Sequence, residues 1–377
     1  MLEDVALSLS GQRFSATYEI AGGEEAARDL AQALCVEQTV EFPSELLPQA
    51  IRDQVVGRIE SFRAASGGWE VQVSYAEETV GGELPQFLNV LFGNISLMPG
   101  VRLTGFGLTP VLLQAFRGPR YGRQGLRDLL RVPKRPLLCT AIKPMGLPSA
   151  VLARLAGAFA TGGIDIVKDD HGLADQAFAP WRERVRACAA AIGEANARSG
   201  RRTLYLPNLG GPVATVLERA HEAKEAGAGG FLVSPGLVGW DLMRTLAEDD
   251  SLGLPIMGHP ALLGSFLTGS RCGISHGALL GQMMRLAGAD AVVYPHHGGR
   301  FSFSREECLE IADATLKPME GLRPAFPAPA GGMRLERVPE LIETYGTDVI
   351  LLIGGDLFRS EEGLEAASRT FLESVAI

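Results

Sequence analysis

From Pro136 onward one pattern recurs eight times: a short apolar, β-branched run, then an Ala-rich stretch of helical periodicity. The strand candidates are Leu137–Ile142, Ile164–Val167, Thr203–Leu206, Gly230–Val233, Pro255–Met257, Ala291–Tyr294, Arg323–Phe326 and Val349–Ile353. Val216–Ala228 and Gly277–Ala287 are typical of the helical runs between them. Parallel strands need crossover connections of this kind, and eight such units close into a (β/α)8 barrel of the TIM type. An open doubly wound sheet is the competing architecture. No GxGxxG follows the first strand to support it.

What stands at the strand ends narrows the chemistry. Strand one runs into Lys143-Pro144, and strand two into Lys168, Asp169, Asp170 and His171. Strand three ends in Asn208-Leu-Gly-Gly211, strand four in Ser234-Pro235 and strand five in Gly258-His259-Pro260. Strand six ends in His296-His297-Gly298-Gly299-Arg300, strand seven leads to Gly331-Gly332, and strand eight to Gly354-Gly355-Asp356. In a barrel all of these face one mouth, where catalytic groups sit. Carboxylates and an imidazole after strand two are ligand types for a divalent cation, and a lysine there is a base or an electrophile. The plain alternative is a solvated turn with an Asp helix cap, which explains one strand end but not the ring. Glycine pairs after strands seven and eight let backbone N–H groups approach a phosphate, which a side chain would obstruct. Two lysines near each other and near a cation, Lys143 and Lys168, are expected to have depressed pKa values. A neutral lysine can act as a base or add CO2 as a carbamate.

Ahead of the barrel, Phe14–Ile20, Trp69–Tyr75 and Val101–Gly107 read as strands, and Glu24–Leu34 and Leu84–Leu91 as helices. This predicts a small α+β, ferredoxin-like domain over residues 1–130. The barrel with its C-terminal helix takes 131–377, and the basic stretch Arg131–Arg135 marks the join. A net charge of -9 without a basic run argues against nucleic acid. The five cysteines are scattered and form no CxxC, which fits reduced thiols in a cytoplasm. Neither a signal-peptide pattern nor a membrane-length apolar run is present, so a cytoplasmic protein without a membrane partner is expected.

Several motifs together resemble the large subunit of ribulose bisphosphate carboxylase/oxygenase, specifically its non-carboxylating RuBisCO-like (type IV) branch. They are Gly118-Pro-Arg-Tyr-Gly122, Arg135 through Lys143-Pro144, Gly162 through Asp170 followed by Gln176, Phe178 and Trp181-Arg182, Leu286-Ala-Gly-Ala-Asp290, Phe92-Gly-Asn-Ile95 and the two glycine turns. The resemblance implies roles residue by residue. Lys168 is the lysine that CO2 carbamylates to bind Mg2+, Asp170 is the second metal ligand, and Lys143 is an acid/base group beside the substrate carbonyl. His259 matches an active-site histidine. Gly331, Gly332, Gly354 and Gly355 hold a phosphate, and Asn94 closes the site across a homodimer interface.

The departures from the family pattern also carry information. His171 stands where the third metal ligand is normally Glu, so it completes the metal set with Lys168 and Asp170, orients water or substrate, or serves as a base. Pro260 replaces the strand-five Arg that grips a second phosphate. The strand-six loop lacks its Gly-Lys, leaving Arg300 as the nearby cation. These features imply an Mg2+-dependent isomerase or lyase that enolises a phosphorylated keto-sugar or keto-acid without fixing CO2. Methylthioribulose 1-phosphate and 3-oxo-isoapionate 4-phosphate are the substrates to test. A genuine carboxylase is the minority alternative, and a non-catalytic barrel binding protein the other.

Overall fold

The computed structural model describes residues 6–269, 271–319 and 321–376. The chain divides into two compact units. The first takes the chain up to Arg117 together with Leu263–Met283; the second takes Gly118–Leu262 and Met284–Ile377. Helix Gly122–Leu130, expected in the N-terminal domain, thus falls in the second unit, where Leu126 and Leu130 join the barrel's interior cluster.

In the first unit, Arg13–Ile20 pairs antiparallel with Gly68–Ala76 and with Val101–Gly107. Arg58–Ala65, which sequence periodicity does not reveal, forms the outer strand beside Gly68–Ala76. Its residues are half-buried or exposed and include three charges, so no apolar alternation advertises it. On the other edge the two-residue strand Gly273–Ile274 adds in parallel to Val101–Gly107. The expected helix at Gly277–Ala287 is π-helical over Gly277–Met283 and α-helical only over Met284–Leu286.

The second unit is an eight-stranded parallel sheet in the order three, two, one, eight, seven, six, five, four. It closes between strands three and four, where Leu209 N–H donates to Leu232 O at 3.0 Å and Leu232 N–H to Pro207 O at 3.0 Å. The TIM-type barrel is therefore present. Strand seven runs over Phe326–Ala330 rather than ending at Phe326. Its first N–H bonds to Asp290 O on the strand-six side. Alternate positions therefore face strand eight, and these are Pro327 and Pro329, which have no N–H to give. Only Ala330 pairs with strand eight, opposite Leu352.

Inward positions alternate along each strand. Leu137 and Cys139, Ile166, Leu206, Leu232, Met257, Ala291 and Val293, Phe326 and Ala328, and Ile350 and Leu352 form one interior cluster. Two carboxylates lock the lower barrel. Asp165 receives Arg135 in two hydrogen bonds of 2.7 Å and Leu138 N–H at 2.8 Å. Asp290 accepts backbone N–H groups of Tyr121, Gly122 and Ile256 at 2.7, 2.6 and 2.9 Å. Gly122 must be glycine: its φ is +60°, and a Cβ would lie 2.7 Å from Arg323 Cβ.

Strand two occupies Ile166–Asp169, two residues later than its apolar run suggested. With Ile166 inside, Lys168 and Asp170 also turn inward and Asp169 turns outward to the helix Trp181–Ser199. There Asp169 is fully buried against Arg184, 3.2 Å away and equally buried. Removing one partner of such a pair strands the other charge. We expect Arg184→Met to cost about 3–5 kcal/mol of stability, read from urea unfolding; a loss under 1 kcal/mol would show that the pair is not the anchor of strand two.

Candidate active site

Strand geometry delivers the first group of side chains. Lys168 is 2 % exposed, and its Nζ donates to Asp169 O at 3.1 Å. Burial lowers its pKa, favouring the neutral amine, and the nearby Lys143 charge acts in the same direction. Lys143, just beyond strand one, places Nζ 3.5 Å from Asp170 Oδ1. His171 Nδ1 lies 3.7 Å from the same oxygen. Burial would raise the Asp170 carboxyl, but His171, Lys143 and Lys168 outweigh it and hold the group well below the usual carboxylate range.

His171 stacks on His259 with ring centroids 4.4 Å apart and planes 16° from parallel. Burial, with Lys168 and His171 nearby, pushes the His259 pKa down to about 2. Its Nδ1 accepts the N–H of Ala261 at 3.2 Å, so the neutral ring carries its proton on Nε2. The loop below is tied down by Asn208, whose amide donates to His171 O and Leu173 O, both at 3.0 Å.

The remaining expected site residues stand on other elements of the fold. Gly331 and Gly332 have φ of +90° and +71°, a left-handed turn that favours glycine. A Cβ on Gly331, Gly354 or Gly355 would meet no heavy atom within 4 Å, so packing does not explain the bare backbone there. Arg300 is exposed, its guanidinium 5.6 Å from the Phe301 ring centroid. Asn94, in the first unit, is exposed and donates to Glu37 Oε1 at 2.9 Å. The chemistry of Lys168, Asp170 and His171 fits a divalent cation in this respect: a carboxylate, an imidazole, and a buried amine whose uncharged form CO2 can carbamylate.

Sequence reasoning missed Arg337. It donates to Glu340 at 2.9 and 2.8 Å and to His296 Nε2 at 3.3 Å. Because Arg only donates, His296 Nε2 accepts, and its Nδ1–H points to the Tyr345 hydroxyl at 2.9 Å. His296, His297 and Cys308 have potential metal-ligand atoms within 4.8 Å of one another. Both His296 nitrogens are nevertheless engaged, and Cys308 Sγ donates to Pro295 O at 3.4 Å. The cluster is a strut behind strand six whose His296 and Cys308 are hydrogen-bonded, while His297 Nδ1 is buried without a hydrogen-bond partner among the described residues. Its only advance signal was the paired histidines.

Comparison with known proteins gives a consistent picture. The family "Ribulose bisphosphate carboxylase large chain, catalytic domain" matches residues 122–371. The 5-methylthioribulose-1-phosphate isomerase of Rhodospirillum rubrum is 41% identical over 367 residues, 97% of this chain and 96% of that protein. The 2,3-diketo-5-methylthiopentyl-1-phosphate enolase of Geobacillus thermodenitrificans is 35% identical over 306 residues, 81% of this chain and 74% of that protein. The crystal structure of a RuBisCO-like protein from Rhodopseudomonas palustris superposes with a TM-score of 0.88 at 40% identity, covering 96% of this chain and 97% of that one.

The state of His259 can be checked through stability. Its folded pKa of about 2 lies below the unfolded value of about 6.5. The unfolded chain therefore takes up the proton first, and this contribution, complete above pH 6.5, is lost as pH falls toward 2. In chelator-treated protein, lowering pH from 7.5 to 5.5 should cost the wild type about 1.4 kcal/mol more than His259→Asn in urea unfolding. Equal losses in the two proteins would mean that His259 is not held neutral.

Proposed function

Because the chain belongs to the ribulose bisphosphate carboxylase large-chain family, on its non-carboxylating RuBisCO-like branch, we propose that it enolises a phosphorylated keto-sugar, with 5-methylthioribulose 1-phosphate as the first substrate to test. The observation that carries this reading is the gathering of Lys143, Lys168, Asp170 and neutral His259 at one end of a closed barrel. The names of two relatives, an isomerase and an enolase of methylthio-sugar phosphates, favour this substrate class.

In the proposed reaction a proton leaves the carbon beside the substrate carbonyl. The C–H electron pair forms a C=C bond, and the carbonyl oxygen takes up negative charge. Protonating that oxygen gives the enediol; adding a proton to the former carbonyl carbon while the neighbouring hydroxyl gives up its own, so that its oxygen becomes the new carbonyl, completes an isomerisation. Lys143 acts as the acid/base group. His259 presents Nε2–H as a neutral donor, which polarises an oxygen without giving its proton away. Lys168 as its carbamate and Asp170 would hold Mg2+, with His171 beside them; nitrogen is a poor ligand for Mg2+, so the two oxygen donors carry the site. An Mg2+ ion bound there supplies positive charge to a developing enolate oxygen.

The glycine turns after strands seven and eight take the phosphate through backbone N–H groups. A second phosphate is not part of the reading. Pro260 offers neither charge nor an N–H where a bisphosphate site needs a cation, and Arg300 lies exposed over Phe301.

Solvent-deuterium incorporation into 5-methylthioribulose 1-phosphate, followed by mass spectrometry with Mg2+ and bicarbonate, tests the reaction. Lys168→Ala is expected to lower the exchange rate by roughly 10²-fold or more and to remove its dependence on bicarbonate. An unchanged rate in that variant, or a wild type indifferent to both additives, would sink the carbamate model. The phosphate count is tested separately by inhibition with a linear monophosphate and its bisphosphate. Less than about a tenfold gain for the bisphosphate is expected; a larger gain would restore a second anion site.

A further inference from the structure

Strand four ends one residue before Ser234, whose backbone is still extended at φ -106° and ψ 93°. Leu232 belongs to the barrel's interior cluster, and alternation turns Ser234 to the same interior, one layer nearer the mouth. Val233 pairs with Gly258, so the next residue along strand five, His259, flanks Ser234 on one side. On the other side Asn208 pairs with Leu232. Ser234 is 4 % exposed, and its Oγ is buried without a hydrogen-bond partner among the described residues. A buried hydroxyl in that state costs stability, and alanine would fill the position more cheaply. Other buried hydroxyls share the condition, but Ser234 is the one that directly continues an inward-facing strand position at the mouth.

We propose that Ser234 is a substrate-contacting residue whose hydroxyl bonds an oxygen on the half of the keto-sugar remote from the phosphate. This rests on the reading of the barrel mouth as a site for a phosphorylated keto-sugar. In the closed strand order, strand four stands four positions from strand eight in either direction, so the two face each other across the mouth. A molecule held by its phosphate at the glycine turns and reacting at the lysines presents its far half to Ser234. Serine swings its hydroxyl about one torsion and can both donate and accept, so it reads a hydroxyl or carbonyl oxygen. It adds no charge to that wall, in keeping with Pro260 on the neighbouring strand end.

The test compares wild type with Ser234→Ala by calorimetric titration in chelator, where turnover is off. The probes are 5-methylthioribulose 1-phosphate and dihydroxyacetone phosphate, which has the phosphate and ketone but lacks the remote half. Expected are an equal or higher melting temperature for the variant, equal affinity for dihydroxyacetone phosphate, and about tenfold weaker binding of the keto-pentose phosphate. Equal affinity of both proteins for the longer probe would overturn the assignment. So would a variant that melts several degrees lower and loses the short probe as well, since the hydroxyl would then be structural. A wild type that binds the longer probe in chelator yet does not turn it over when Mg2+ and bicarbonate are supplied discards the proposed reaction and leaves the Ser234 comparison in force. A wild type that binds neither probe overturns both readings.

Discussion

The buried pair between Asp169 and Arg184 fixes the frame in which every other site residue is read. Strand two delivers four polar residues in a row, and only alternation decides which of them face the mouth. Asp169 has no surface exposure and takes Arg184 at 3.2 Å, Tyr205 OH at 2.8 Å and Asn208 N–H at 3.0 Å. Arg184 in turn donates to the carbonyls of Ala174 and Ala179, both at 2.8 Å. One carboxylate thus ties strand two to strand three, to the following helix and to the connecting loop. A one-residue slip would turn Asp169 into the barrel, away from Arg184 on the helix, and send Lys168 into the helix layer. The cost of an unpaired buried charge excludes that slip.

Much of this was legible beforehand, and what was not has identifiable causes. Eight apolar runs and the polar groups after them revealed the barrel because burial on both faces demands such runs. The sequence Lys168-Asp169-Asp170-His171 does not distinguish its two carboxylates; Asp169 proves structural and Asp170 faces the lysines. Strand boundaries slipped where polar residues continue a strand, as at Lys168, or where proline interrupts the expected pattern, as at Pro327 and Pro329. The outer strand Arg58–Ala65 was silent because it buries little. Arg337 was silent because an arginine among charged residues after a glycine turn reads as surface, yet it donates to His296. The motifs around Tyr121 and Asp290 are far apart in sequence, and their spacing did not show that Asp290 accepts the N–H groups of Tyr121 and Gly122.

Electrostatically, the barrel mouth places two lysines and an ionised carboxylate close together while keeping an adjacent imidazole neutral. Burial does most of this, disfavouring charge on Lys168 and His259. Asp170 stays ionised because its neighbours outweigh its own desolvation. Such a site can offer a base, a neutral donor and an anionic ligand at one pH, which is what enolate chemistry requires.

The segment Leu263–Met283 lies in sequence between strands five and six of the barrel, yet belongs to the first unit, where Gly273–Ile274 completes the small sheet. The backbone therefore passes between the units at three points, and neither is encoded by one uninterrupted stretch. In evolutionary terms the two are not separable cassettes. Exchanging the small sheet between relatives means transplanting two pieces at once, and a simple crossover near residue 117 would leave the small sheet with a foreign edge strand. Such recombinants start at a disadvantage, so the two units are expected to have diversified together along the lineage rather than by shuffling.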